Sequence, residues 1–340
     1  MNIASSSTPP RPVLDIDSFS LEIHSAGRVH PILHDVNLQV MPGRIHALVG
    51  ESGGGKSMVT RAITGLLPAG ARITRGHLRI DGQETAAWQE QDWQLARGRM
   101  FSMVLQDPMT ALNPMMRIGT QIAEVLRLQR GMEARQAWYE AGQLLDRVRV
   151  RDSARVLQLF PHQLSGGMRQ RVVIAIAWAC QPRLILCDEP TTALDVTVQK
   201  EVLRLISSLS QAGSGILLVT HDLGVVAKVA HSMSVIERGR ILECGDVASV
   251  YASPAHAYTR ALMAATPRFD RPEALSSPGG VPSIGHNIQP VASMPPPGPS
   301  NPLLRVQNLS LSVPDARAQG GPTPGSVSYT HLTLPTILLV

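Results

Sequence analysis

Hydrophobic and polar positions follow different periods in different parts of the chain. Residues 13–49 alternate with a period of two, broken at "SAGR" and "MPG", which predicts short antiparallel β-strands. From about residue 110 to 163, apolar residues recur every three or four positions, as in "QIAEVLRLQ", which predicts helices. Farther along, "RQRVVIAIAWAC", "RLILCDEP", "VQKEVLRLISSLSQ" and "GILLVTHD" alternate between helix and strand. This alternation predicts a parallel sheet covered by helices.

Shorter patterns place the connecting elements. "RIHALVG" reads as a buried strand that runs into a glycine-rich turn, and we expect a helix from about residue 56 to 67 after it. "GHLRIDGQE", at residues 76–84, indicates a second β patch. Residues 271–302 are rich in Pro, Gly and Ser, which is typical of an extended linker.

Composition narrows the class of protein. The chain has 340 residues, of which 44% are hydrophobic and 17% charged, enough to build a substantial core. The formal charge of +5 comes from scattered basic residues, so we expect no nucleic-acid partner. The longest apolar run, "VVIAIAWAC", is about half of the ~18 residues that a membrane span needs, and no signal-peptide h-region occurs at the N-terminus.

The cysteines are Cys180, Cys187 and Cys244. Their number is odd and no pair has C-x-x-C spacing, which argues against a disulfide framework or a zinc site. We expect buried, reduced thiols in a cytoplasmic protein.

The octapeptide "GESGGGKS", Gly50 to Ser57, fits the pattern G-x-x-x-x-G-K-[ST] after an apolar strand and before a helix. Glycines allow several backbone N–H groups to face one anion, and the helix N-terminus adds positive potential. Lys56 can neutralise the β- and γ-phosphates, and the Ser57 hydroxyl can bind Mg²⁺. A glycine-rich turn without a ligand is the alternative.

Polar side chains follow the other predicted strands. Asp188 and Glu189 end "LILCDEP", where one carboxylate can hold the Mg²⁺ shell and the other can polarise an attacking water. His221 ends "LLVTHD" and could sense a γ-phosphate, although a structural histidine is the simpler alternative. Gln106, in "VLQDP", could reach the metal or the water.

A second anion-binding motif is "LSGGMRQR", Leu164 to Arg171, in which a Ser-Gly-Gly turn opens a helix. One nucleotide does not need two such motifs. We therefore expect this motif to bind the phosphates of a nucleotide held by another copy, face to face.

These motifs, together with "TTALD" and in this order, resemble the nucleotide-binding domain of an ABC transporter over roughly residues 13–267. The resemblance implies an α/β P-loop NTPase (RecA-like) core with a parallel sheet, an N-terminal antiparallel β-subdomain and an inserted helical subdomain at about 110–165. It also implies ATP and Mg²⁺ as cofactors and ATP hydrolysis as the reaction.

Site roles follow from the resemblance. The Walker A loop would bind nucleotide through Gly50, Ser52, Gly53, Gly55, Lys56 and Ser57. The metal ligands would be Ser57, Gln106 and Asp188, and the catalytic set Glu189, His221 and Gln106. Ser165, Gly166 and Gly167 would act on the partner's γ-phosphate. Asp195 would lie at the contact between two ATPase domains, and Ile23 and His24 would stand where such domains usually stack adenine on an aromatic ring.

Two further stretches resemble oligopeptide, dipeptide and glutathione importer ATPases: "QDPMTALNPMMRIGTQIAE", residues 106–124, and "SPAHAYTRALMAATP", residues 253–267. The resemblance implies a peripheral protein on the cytoplasmic face of the bacterial inner membrane. Its partners would be permease subunits, a second ABC domain and, indirectly, a solute-binding protein. The resemblance implies that some such ATPases carry cysteines for an iron–sulfur cluster after this tail. Because no cysteine follows Cys244 here, we expect no cluster. A soluble ABC ATPase of translation or DNA repair is the alternative; a P-loop kinase or GTPase would leave "LSGGMRQR" without a purpose.

The opening strand has a near twin late in the chain, since "PLLRVQNLSLSV" at residues 302–313 matches "PVLDIDSFSLEI" at residues 12–23. We expect a tail over 1–12, an ABC domain over 13–250 and an importer-type extension over 251–270. After the linker, residues 303–325 would begin a second, truncated ABC domain. Residues 326–340 fit neither domain pattern and would be foreign sequence. A single domain with an unrelated tail is the alternative.

Overall fold

The computed structural model describes residues 11–25, 27–192 and 194–265, and the backbone of strands Arg305–Ser312 and Ser326–Thr333. The chain divides into two units, residues 1–270 and 271–340. The predicted linker 271–302 lies outside the described residues, as do most of the predicted N-terminal tail and residues 313–325 and 334–340.

An antiparallel sheet forms the N-terminal part of the first unit. Its strands are β1 (Leu14–Ser25), β2 (Arg28–Val40), β4 (Ala71–Ile80) and β5 (Gln83–Glu84), in the order β2-β1-β4-β5. Leu14 pairs with Val40 and Ser25 with Arg28, so the hairpin turns at the predicted "SAGR" break. The prediction of short strands is wrong in length, because β1 and β2 pair over their whole extent.

The central sheet is mostly parallel. Its strands are β3 (Ile45–Val49), β6 (Phe101–Val104), β7 (Leu184–Asp188), β8 (Gly215–Thr220), β9 (Ser232–Glu237) and β10 (Arg240–Asp246). They lie in the order β10-β9-β3-β8-β7-β6, and β10 alone among these pairs antiparallel to its neighbour. The carboxyl ends of the parallel strands therefore share one edge, which places the residues that follow β3, β6, β7 and β8 close together.

Both faces of the central sheet are covered. Along β8, Ile216 and Leu218 belong to one apolar cluster, shared with helices, while Leu217 and Val219 belong to another, shared with the antiparallel sheet. A strand buried on both faces reads as a continuous apolar run, which is why "GILLVT" shows no alternation.

Helices connect and flank these strands. Their bounds are α1 (Lys56–Thr64), α2 (Glu90–Ala96), α3 (Pro108–Ala111), α4 (Ile118–Arg130), α5 (Ala134–Arg147), α6 (Ser153–Val156), α7 (Gly166–Trp178), α8 (Val196–Gln211), α9 (Leu223–Val229), α10 (Val247–Ala252) and α11 (Ala257–Ala265), with a 3₁₀ turn at Pro161–Gln163. In the part of the chain that is described, no helix is long and apolar enough to cross a membrane. The α4–α6 segment has no separate core, since Ile122 and Leu144 share the cluster of Ile185 in the sheet.

Two local predictions are wrong. Helix α1 ends at Thr64 instead of about residue 67, because Gly65 adopts a left-handed conformation with φ of 69° and caps the helix. Cys187 is buried, but Cys180 is only partly buried and Cys244 is exposed, so the thiols are not all buried. Cys244 lies on β10, an edge strand that is covered less than the strands inside the sheet.

In the second unit, β11 (Arg305–Ser312) and β12 (Ser326–Thr333) pair antiparallel. Arg305 lies opposite Thr333, and Ser312 lies opposite Ser326.

Candidate nucleotide site

The loop from Gly50 to Ser57 joins β3 to α1 and can be built only with glycine at particular positions. Gly53 and Gly55 have φ of 82° and 108°, a region that favours glycine. A Cβ on Gly50 would stand 2.2 Å from the carbonyl oxygen of Ile236 on β9. The Gly54 oxygen accepts from the N–H of Gly239 at 2.9 Å, so the β9–β10 turn is hydrogen-bonded to the loop.

Lys56 is buried and folds back over this loop. Its Nζ donates to the carbonyl oxygens of Gly50 and Glu51, both at 2.7 Å. Burial lowers the pKa of the ammonium, and the negative charges of Glu189, Asp188 and Glu51 oppose this shift. Because its present partners are neutral carbonyls, an ionised phosphate would be a stronger acceptor for the same donors.

Asp188 and Glu189 end β7 side by side. Burial raises the pKa of Asp188, the neighbouring Glu189 charge raises it further, and Lys56 acts in the opposite direction. Glu189 has φ of 45°, which is uncommon for a residue with a side chain. Its N–H donates to Val219 O on β8 at 2.9 Å, which fixes this left-handed turn at the sheet edge.

Three side chains hold the Glu189 carboxylate. Gln106 Nε2 donates to Oε2 at 3.2 Å, Thr192 Oγ1 donates to the same oxygen at 2.9 Å, and His221 Nδ1 lies 2.9 Å from Oε1. Burial raises the pKa of Glu189, but the hydrogen bonds from His221 and Thr192 and the electrostatic attraction of His221 and Lys56 together outweigh it, so the net pKa is lowered. These contacts hold the carboxylate ionised and in one orientation, so that it can accept a proton.

The predicted anion motif at Ser165–Gly167 forms the start of α7. Ser165 Oγ accepts from the N–H of Met168 at 3.4 Å as an N-cap, and Gly167 packs against Val198, where a Cβ would stand 2.6 Å from Cγ1. Among the described residues, no hydrogen bond or ion pair joins this motif to the Gly50–Ser57 loop.

The surroundings of this motif are basic. Ser165 and Gly167 line a cavity of about 430 Å³ together with Arg149, Arg151, Arg171 and Arg204. Arg171 is already paired with Glu201, and its guanidinium also donates to the backbone oxygens of Val148 and Arg149. The cavity is a positively charged environment that suits an anion presented from outside the chain.

The predicted metal ligands offer oxygen donors, which Mg²⁺ prefers. Ser57, the second residue of α1, is exposed, and Asp188 provides a half-buried carboxylate. The Gln106 amide oxygen can still accept a ligand when its Nε2 donates to Glu189. Within the described residues, no group of three or more His, Cys, Asp or Glu side chains could hold a metal ion. A site completed by phosphate oxygens and water, as Mg²⁺ sites often are, fits this donor set.

The other predicted residues lie apart from this network. Asp195 caps α8, its Oδ1 accepting from the N–H groups of Thr197 and Val198 at 3.1 and 3.0 Å. Ile23, expected near adenine, is half-buried at the end of β1. The neighbouring His24 lies 3.6 Å from Glu22 Oε2. The adenine contact of Ile23 and His24 stays a prediction.

Sequence reasoning missed two contacts of the site. Thr192 was inside the quoted "TTALD" but received no role, although it binds Glu189 directly. Tyr258, from the C-terminal extension, was missed as well: its hydroxyl accepts from the N–H of Glu51 at 3.1 Å. The tyrosine of "SPAHAYTRALMAATP" could have drawn attention as a polar aromatic residue, but its partner could not be predicted from the sequence.

The glycine loop on a mostly parallel sheet, with carboxylates ending the neighbouring strands, defines a P-loop nucleotide-binding domain. The family model for "ABC transporter" matches residues 33–192. A putative peptide import ATP-binding protein of Brucella melitensis, BMEII0863, is 43% identical over 294 residues, covering 81% of this chain and 86% of the relative. The chain therefore belongs to the ABC transporter family, as the resemblance implied.

Other matches agree with this family. The peptidoglycan transport ATP-binding protein YejF of Agrobacterium fabrum is 41% identical over 272 residues, covering 79% of this chain. The match covers 50% of YejF, so the chain spans about half the length of that relative. The dimeric ATP-binding cassette MJ0796, solved in a post-hydrolysis state with ADP and Pi, has a TM-score of 0.61 and 26% identity. The match covers 69% of this chain and 98% of that one. The predicted fold class is confirmed.

Proposed function

We propose that this chain binds and hydrolyses ATP to energise an importer of peptides or related small solutes. The observation that carries the proposal is the Glu189 carboxylate, held by Gln106, Thr192 and His221 at the sheet edge from which the glycine loop also emerges. Such a carboxylate beside a phosphate-binding loop suits the attack of water on a phosphoryl group.

Each part of the site has a chemical task in this proposal. The N–H groups of the loop, with Gly50, Ser52, Gly53 and Gly55, cradle the phosphates, and Lys56 turns from its carbonyl partners toward them. Glu189 accepts the proton of the attacking water, and Gln106 and His221 fix its carboxylate. Ser57, Asp188 and Gln106 would hold Mg²⁺, which supplies charge neutralisation at the β- and γ-phosphates when bound.

A second ABC domain completes the site. Ser165, Gly166 and Gly167 present the N-terminus of α7, and the arginines of the adjoining cavity favour an anion from outside the chain. We infer that two domains meet face to face with Asp195 at their contact. The dimeric arrangement of the solved cassette MJ0796 supports this inference.

Names of the relatives support a transport role. BMEII0863 is named for peptide import, and YejF for peptidoglycan transport. Membrane permease subunits would be the direct partners, a solute-binding protein the indirect one, and the cytoplasmic face of the inner membrane the location. The named relatives give no support to a role in translation or DNA repair.

We also propose that residues 303–325 begin a second ABC domain. The matched pattern of "PVLDIDSFSLEI" and "PLLRVQNLSLSV" supports this. Long-read sequencing of the gene tests it, and also tests whether residues 326–340 are foreign. A reading frame that runs from residue 325 into a second P-loop is the expected result. A gene that encodes residues 326–340 as given and no second P-loop would contradict the proposal of a second ABC domain.

The test of the proposed function compares the purified chain with Glu189→Gln. We expect Mg²⁺-dependent ATP hydrolysis by the wild type and a loss of at least about 100-fold in the variant, with ATP binding retained and an ATP-dependent dimer trapped. Glu133→Gln, an exposed glutamate at the start of α5, is the matched control and should hydrolyse normally. Normal turnover by Glu189→Gln would overturn the role of that residue, and no ATP binding by the wild type would overturn the function.

A further inference from the structure

The C-terminal extension reaches the nucleotide loop through one residue. Tyr258 lies in the first turn of α11, and its hydroxyl accepts a hydrogen bond from the N–H of Glu51, the second residue of the Gly50–Ser57 loop. The carbonyl oxygen of the same Glu51 accepts from Lys56 Nζ. The extension is therefore linked, through the backbone of Glu51, to the lysine that would bind phosphate.

The position of Tyr258 is set by a network on β10. Both carboxylate oxygens of Glu243 accept from the backbone just before α11, one from Ala255 N at 2.8 Å and the other from His256 N at 3.1 Å. His256 Nδ1 then accepts from the N–H of Tyr258 at 3.1 Å. These bonds give partners to the N–H groups of Ala255, His256 and Tyr258 and anchor the start of α11 to β10.

Apolar packing extends the link to the rest of the site. Met263 of α11 shares a buried cluster with Val49, the last residue of β3 before the loop, and with Leu223 and Val226. The last two lie on α9, which begins directly after His221 and Asp222. Helix α11 thus supports both the strand that enters the glycine loop and the helix that follows the histidine.

The charges around the hydroxyl favour its neutral form. Burial raises the pKa of Tyr258, and the carboxylates of Glu51 and Glu237 raise it further, while the hydrogen bond from the Glu51 backbone opposes them. The hydroxyl therefore keeps its proton at neutral pH. Its oxygen can accept from the loop without adding a negative charge next to the phosphate site.

We propose that Tyr258 is a positioning residue for the nucleotide: its hydroxyl holds the first turn of the P-loop in the conformation that binds phosphate. Residues 254–259 of the extension then set ATP affinity, in addition to packing on the core. This inference rests on the proposed function, because it assigns a role toward the ATP that the loop is proposed to bind.

The test is the removal of the hydroxyl alone, in Tyr258→Phe of the full chain. We expect the Kd for a non-hydrolysable ATP analogue with Mg²⁺ to rise about 2- to 10-fold, the range of one lost neutral hydrogen bond. The kcat at saturating ATP should stay unchanged, and amide hydrogen exchange should accelerate at Glu51 to Lys56. Tyr139→Phe, at an exposed tyrosine on α5, is the matched control and should change none of these.

A second variant distinguishes a positioning role of the Tyr258 hydroxyl from a general loosening of α11. Glu243→Gln removes the charge that anchors the start of α11 and should weaken the affinity in the same direction. Its effect should be smaller in the Tyr258→Phe background, because both act through one contact. Equal Kd and equal exchange in wild type and Tyr258→Phe would overturn this inference alone. Failure of the wild type to bind the analogue would overturn the proposed function and the inference with it.

Discussion

Glu189 Oε1 and His221 Nδ1 lie 2.9 Å apart, although 32 residues separate them in sequence. An ionised carboxylate can only accept, so the Nδ1 atom carries the proton and the Nε2 edge of the ring faces away from this contact. His221 is more than half exposed, whereas Glu189 is mostly covered. The pair therefore joins a mostly covered carboxylate to a ring that is open to solvent.

Thr192 supports the same carboxylate from the other oxygen, and its loss should slow hydrolysis. Thr192→Val removes the hydroxyl and keeps the shape, so we expect kcat to fall about tenfold, with ATP affinity unchanged. The hydrogen bond helps to lower the pKa of Glu189, so the acid limb of the pH–rate profile should move to higher pH. Steady-state assays from pH 5 to 9 measure both effects.

Thr74→Val is the control, because its hydroxyl bonds to Ser20 O in the antiparallel sheet and, among the described residues, has no hydrogen bond to the nucleotide site. An unchanged kcat and acid limb in Thr192→Val would show that Gln106 and His221 hold Glu189 without it.

His46 should make stability depend on pH. It is buried on β3 between the hydroxyls of Ser232 and Ser234, at 2.8 and 2.9 Å, and burial lowers its pKa from 6.5 to about 4. Between these two values the unfolded chain binds a proton that the folded chain does not. The contribution of neutral His46 is therefore present above pH 6.5 and lost as the pH falls, by about 2 kcal/mol at pH 5.

Urea unfolding of wild type and His46→Gln at pH 7.5, 6 and 5 measures this loss. The free energy of unfolding should fall more steeply with decreasing pH in the wild type than in His46→Gln. His30→Gln, at an exposed histidine on β2, should follow the wild type. Parallel pH curves for wild type and His46→Gln would contradict the expectation.

The thiols should react in the order of their exposure. Cys244 is exposed, whereas burial, with a smaller contribution from the Asp188 charge, raises the pKa of Cys187 to about 12. Because the thiolate is the reactive form, iodoacetamide at pH 8 should label Cys244 first and Cys187 only after unfolding. Peptide mass spectrometry follows each site, and Cys244→Ser should remove the fast phase. Fast labelling of native Cys187 would contradict this order.

Much of the central sheet and the placement of the site could be predicted from sequence. A continuous apolar run marks a strand buried on both faces, and a polar residue after it marks the sheet edge. Gln106, Glu189 and His221 each follow such a run. The structure brings both Gln106 and His221 within hydrogen-bonding distance of Glu189.

Thr192 and Tyr258 could not be predicted. The direction of Thr192 depends on the left-handed turn at Glu189, which no local pattern specifies because a non-glycine residue occupies it. The partner of Tyr258 lies 207 residues away, and the contact depends on how Glu243 anchors the start of α11 to β10. Cys244 was misjudged because an apolar stretch does not reveal that its strand lies at an edge.

The left-handed backbone of Glu189 should affect which variants of this chain are recovered when a library is selected for stability. A side chain held at φ of 45° costs about 1–3 kcal/mol that glycine or asparagine would avoid in part. A library ranked only by melting temperature should therefore enrich Glu189→Gly and Glu189→Asn and discard the proposed proton acceptor. Directed evolution toward stability would then need a screen for the proposed ATP hydrolysis at every round in order to keep Glu189.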